Sequence, residues 1–212
     1  MKNYDELLTH AIKNYDVETA EAILENQLSI NKDDTELWLK LAVTELSVPL
    51  VDYIKSLECL DKVYALDRDN ISAVLLECCV NYYHLGGIDE ELFNKLKLMD
   101  IEDKGILSIL KYVMSWHYKG IDIDAQQNLL EESIEFCNNN VRNYEDLGKI
   151  YISKGLIDKG KELIKQAVKN IEFIYDDNSE YDFTDINEYF NEKLKGIHLS
   201  RENKEIMEEL LK

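Results

Sequence analysis

Four histidines are the side chains best suited to acid–base or metal chemistry in this 212-residue chain, and their spacing gives them little to act with. His10, His84, His117 and His198 are scattered, without the HExxH or HxH arrangement that puts two imidazoles on one metal. His84 and His117 fall in neighbouring segments, but two surface histidines are more often hydrogen-bonded than metal-binding. There is no GxSxG nucleophile turn, no glycine-rich phosphate loop and no CxxC pair. A second candidate is the acidic stretch DDNSEYDFTDINE. Asp176, Asn178 and Glu180 match the first, third and fifth ligand positions of a calcium loop. Tyr181 stands where the sharp turn needs glycine, and Asn187 where a bidentate glutamate is needed, so no metal is expected. Cys59, Cys78, Cys79 and Cys137 follow neither a ligand nor a disulfide spacing and lie among apolar residues, which reads as reduced, buried thiols. The expectation is a protein that is not an enzyme and carries no cofactor.

Charge narrows the partners. With 43 acidic against 24 basic residues the formal net charge is -19, a field that repels nucleic-acid phosphates and anionic membranes and attracts basic proteins. The opening MKNYDELLTH lacks an apolar signal core and no run approaches bilayer length, so a cytoplasmic protein is expected. One region reverses the sign. Arg142, Lys149, Lys154, Lys159, Lys161, Lys165 and Lys169 make residues 141–169 net positive, with the last three on one helical face. A solvated face, or one paired with the acidic segment that follows, is the expected role, ahead of a phosphate-reading patch.

The elements that must position any site are helices. Apolar content of 45% fills a core, while eight glycines and the single Pro49 leave few helix breaks. In Tyr144 to Val168, Tyr144, Leu147, Gly148 and Tyr151 share one helical face, SKGL makes a turn, and Gly160, Leu163, Ile164, Ala167 and Val168 face inward from a second helix. The small residues stand where two helices must approach closely. The pattern recurs upstream, as in Tyr4, Leu7, Leu8, Ala11, Ala20 and Leu24, or in Trp38, Leu41, Ala42, Ser56, Leu60 and Val63. It recurs again through Leu75, Cys78, Cys79, Tyr82, Leu92 and Leu96, and most weakly in residues 104–140. The period is about 34 to 37 residues.

This grammar resembles the tetratricopeptide repeat (TPR). The resemblance implies an all-α, TPR-like α-solenoid of about five helical hairpins over residues 1–171. Residues 172–212 follow as an acidic aromatic segment and capping helices packed on the same domain. Eight carboxylates and no lysine or arginine lie between Glu172 and Glu192. The interleaved aromatics need a surface to cover. Ile186, Tyr189, Phe190, Leu194 and Ile197 share one helical face, and Ile206, Met207, Leu210 and Leu211 another, giving two short helices expected to cap the open end of the stack.

In the family the first helix of each hairpin lines a concave groove. By register the partner-binding positions are then Leu39 and Val43, Leu76, Val80, Tyr83 and His84, Leu110, Met114, His117 and Tyr118, and Glu145 and Lys149. A centre so apolar and aromatic suits a partner's amphipathic helix. Two other fates are open: the chain's own C-terminal helices fill the groove, or the residues of the fourth hairpin are core. The family's lysine and asparagine clamp for a C-terminal carboxylate is disfavoured, because those positions are largely apolar here. The functional expectation is a non-enzymatic scaffold for a basic protein, as an immunity protein neutralising a toxin or as a dedicated chaperone. The alternative is a regulatory protein sensing a peptide or small ligand.

Overall fold

The computed structural model describes residues 4–138, 140–174, 183–194 and 201–212, and no strand occurs among them. The helices are α1 (Tyr4–Lys13), α2 (Val17–Ile30), α3 (Thr35–Glu45), α4 (Tyr53–Leu66), α5 (Ile71–Val80), α6 (Glu90–Lys97), α7 (Lys104–His117), α8 (Ile123–Phe136), α9 (Val141–Ser153), α10 (Ile157–Ile174), α11 (Ile186–Leu194) and α12 (Arg201–Leu210). A π-helical turn, Asn81–Leu85, prolongs α5. Among the first ten, α1–α2, α3–α4, α7–α8 and α9–α10 pack as the expected hairpins.

Aspartate and asparagine set the breaks. Asp16, Asp34, Asp52, Asn70, Asp89, Asp103, Asp122 and Asn140 each accept a backbone N–H in the first turn of the helix that follows. Each satisfies a donor that has no intrahelical partner, and the carboxylates also oppose the positive end of the helix dipole. Segments such as NKDD and LDRDN therefore do more than end one helix. They start the next.

The strongest repeat behaves as its spacing requires. Tyr144, Leu147, Gly148 and Tyr151 of α9 are buried, as are Gly160, Ile164 and Ala167 of α10, while Leu163 and Val168 are half-buried. Gly155 turns the chain at a φ of 80°, a left-handed value that glycine adopts without steric cost. The helices cross at glycine on glycine. A Cβ on Gly160 would lie 2.6 Å from the Gly148 carbonyl oxygen. In the weakest repeat the close-approach positions are serines. Ser108 Oγ of α7 donates to the Ser133 carbonyl of α8 at 2.7 Å, and Asn143 Nδ2 of α9 reaches Ser133 Oγ at 2.5 Å. Small hydroxyls replace alanine and glycine there, because a buried hydroxyl is tolerated once it is hydrogen-bonded. That is why the pattern fades without the hairpin being lost.

The chain divides into two compact units, Met1–Gly86 with Asn178–Gly196, and Gly87–Asp177 with Ile197–Lys212. In the second unit α12 packs on α10. Its Met207 is fully buried among Val141, Tyr144, Ile164, Ala167 and Ile171, whereas Ile206 and Leu210 are exposed. Lys161 donates to the Leu211 carbonyl at 3.0 Å, so one cation of the lysine face secures α12. Lys165 pairs with Glu162. Helix α11 lies elsewhere than at the end of the stack: it packs against α1, α3 and α5 of the first unit. The calcium-like positions Asp176, Asn178 and Glu180 lie outside the described residues. None of the four cysteines is in a disulfide. Burial pushes the thiols of Cys59 and Cys79 up to about 12, and Cys137 is half-buried rather than buried.

Candidate functional site

In the first unit α1, α3 and α5 are the first helices of their hairpins, and their shared surface is covered by α11. Leu39, Val43 and Leu76 belong to one buried cluster with Phe183, Ile186, Tyr189 and Phe190. The aromatic rings interlock: Phe183 and Tyr189 have centroids 5.0 Å apart, and Tyr189 meets Phe190 edge-on at 5.2 Å. Ring pairs in such offset or perpendicular geometry add to the area they bury.

Lysines frame this contact. Lys40, on the otherwise apolar run WLKLAV of α3, is buried, and its Nζ donates to Asn187 Oδ1 of α11 at 2.7 Å while sitting 2.7 Å from the Glu36 carboxylate. The same ammonium lies 5.9 Å from the Phe190 ring centroid, and Lys13 Nζ of α1 stands 4.8 Å from that of Phe183. A cation over a ring face is attracted by the ring quadrupole. Asp185 accepts the Asn187 N–H at the first turn of α11, at 2.9 Å.

The remaining expected positions go different ways. Val80 is buried, whereas Tyr83 and His84, on the π-helical turn, are exposed; His84 stacks on Tyr53 with centroids 5.4 Å apart. In the second unit Leu110 and Met114 are buried in α7, which presents little free surface. His117 is spoken for: it stacks on Phe93 at 4.2 Å, its Nδ1 lies 2.9 Å from the Ile88 carbonyl, and its Nε2 faces Glu90 at 3.4 Å. Tyr118 meets Phe93 edge-on at 5.3 Å. Glu145 is buried between Arg142, at 3.3 Å, and Lys149, whose own side chain is exposed. Exposure separates two substitutions that look alike in sequence. Tyr83→Ala is expected to change stability by less than about 0.5 kcal/mol, whereas Met114→Ala costs about 2–3 kcal/mol in urea unfolding; equal effects would contradict the burial difference.

The sequence marked α11 as an amphipathic aromatic helix and left open whether the groove takes a C-terminal helix of the chain or a partner; α11 lies on it. The available signal was Lys40, a lone cation within an apolar helical run that needs a partner once buried.

No protein-family model matches this chain, and no curated protein matches it in sequence. Solved structures do match. A crystal structure of MamA shares 22% identity over 81% of this chain and 96% of its own, with a TM-score of 0.58. MamA 41-end from Desulfovibrio magneticus RS-1 shares 16% over 83% and 96%, at 0.56. TTC0263, a thermophilic TPR protein of Thermus thermophilus, shares 17% over 82% and 94%, at 0.55. The fold is TPR-like. Identities this low carry the fold and nothing of the activity. In a TPR-like fold the surface of α1, α3 and α5 is the inner one, and here a helix of the same chain lies on it. No described helix is long and apolar enough to cross a membrane.

Proposed function

We propose that this chain is a non-enzymatic protein-binding scaffold whose partner is a basic protein, held as an immunity protein holds a toxin or as a dedicated chaperone holds its client. One observation supports it above the others: the inner helices of the first unit already receive an amphipathic aromatic helix, α11, so the surface has the shape and chemistry of a helix acceptor. The net charge of -19 adds the second half of the reading. Complementary fields raise association rates and discriminate against acidic partners more than they deepen affinity. Among the expected positions, Tyr83 and His84 of the first unit and Lys149 of the second have exposed side chains.

The test is co-expression with the product of an adjacent gene encoding a basic protein. A one-to-one complex is expected, with an association rate that falls about tenfold or more between 50 and 500 mM salt. Two well-folded proteins that fail to associate would count against the scaffold reading, and a salt-insensitive rate against the basic partner. A regulatory protein that senses a short peptide is the second reading, favoured by the same acceptor surface. It is distinguished by peptide binding without a stable protein complex.

A further inference from the structure

We infer that α11 is a stand-in ligand, and that the α1–α3–α5 surface is a docking groove for a partner helix that repeats its pattern and takes its place. This rests on the scaffold reading above and names what such a scaffold would hold. Three features carry it. By contacts, Asn178–Gly196 belongs to the first unit, yet the chain before it and the chain after it belong to the second. Helix α11 is thus joined to the rest of its unit by packing and not by adjacent sequence. Its nine residues are too few to be helical alone in water, so contact with the groove is what keeps it folded. Those contacts are of a kind any suitable helix can make: buried Ile186, Tyr189 and Phe190, with Phe183 one turn ahead, and a hydrogen bond from Lys40 to the side-chain oxygen of Asn187.

The chemistry selects the partner helix. It needs large apolar or aromatic residues at the spacing of Phe183, Ile186, Tyr189 and Phe190. It needs an acceptor, amide or carboxylate, at the position of Asn187. A lysine or arginine there would put a second cation against the buried Lys40 ammonium, whose charge the Glu36 carboxylate already balances, and like charges out of water repel strongly. A basic partner would therefore dock through a helix whose groove face is free of cations. A tethered α11 competes at millimolar effective concentration, which keeps the groove closed to weak ligands.

Two measurements test this without any partner in hand. In the wild-type chain, hydrogen exchange should show α11 amides exchanging about 100-fold faster than those of α3 and α5, through local release. Equal rates, set by one global opening, would overturn the inference. In the second, a labelled peptide of residues 183–194 is titrated into the wild-type chain and into the Tyr189→Ala/Phe190→Ala chain. Binding to the variant should be about tenfold tighter or more, because its own helix competes less. A peptide carrying Asn187→Lys should bind about tenfold more weakly than the unaltered one. Binding to neither chain, or a double variant that loses its cooperative melt, would make α11 a fixed part of the core and overturn the inference. The two readings fail separately. Peptide exchange without any protein complex leaves the stand-in helix and removes the scaffold. A tight complex in which α11 stays as protected as before does the reverse.

Discussion

Alanine at Gly160 destabilises the protein by about 3 kcal/mol, although alanine is the better helix former by nearly 1 kcal/mol. The added Cβ would stand 2.6 Å from the Gly148 carbonyl oxygen and 3.0 Å from the Ile152 amide nitrogen. Both are backbone atoms of α9, and neither can step aside without moving the helix. At Gly148 the closest atom is the Ile164 Cδ1, 2.8 Å away, which a rotamer change relieves, but the Gly160 carbonyl at 2.9 Å remains. Gly148→Ala should therefore be harmful, and less so. Urea unfolding decides the matter: a stabilised Gly160→Ala would mean that α9 and α10 do not cross at this point.

Lys55→Met should cost about 2–3 kcal/mol at neutral pH, less than the full cost of breaking a buried pair because the lysine is itself partly exposed. Its ammonium on α4 contacts Glu21 of α2, lies 3.0 Å from Glu25 of α2, and lies 2.9 Å from the Glu45 carboxylate on α3, which is almost wholly buried. One cation thus ties three helices. Burial holds the Glu45 carboxyl above its usual range, even though Lys55 pulls the other way. For a carboxyl raised in the folded state, protonation favours folding. The stability it contributes is complete below the unfolded value and is lost as pH rises through the folded one. Without Lys55 the folded value climbs further, so the deficit of Lys55→Met should shrink as pH falls from 7 towards 5. Adding Glu45→Gln should recover much of it at pH 7. A deficit that ignores both pH and Glu45→Gln would show that the lysine acts through its packing alone.

Particular residues show where local pattern sufficed. The α9–α10 hairpin was legible because each of its inward residues meets a neighbour within the same 25 or so residues, and helical spacing alone says which face that is. The glycines at its crossing were legible for the same reason. The α7–α8 hairpin was dimmer, since Ser108 and Ser133 meet the same steric demand with hydrogen-bonded hydroxyls that a search for alanine and glycine passes over. The inner register of α3 and α5 was readable as far as Leu39, Val43 and Leu76. What stands against them was left open between a partner and the chain's own C-terminal helices, because Phe183 to Phe190 lie more than a hundred residues further along.

The linear chain alone determined an all-helical protein of paired helices with a strong negative field, and named the faces that α9 and α10 hide. Those properties depend on neighbours three or four positions away and on a sum of charges, both of which survive without a tertiary fold. Only the folded protein decided that α11 rests on α1, α3 and α5 while α12 rests on α10. Both helices are amphipathic and short, and an apolar stripe carries no address: shape and the buried cation of Lys40 choose which of two similar helices lies where.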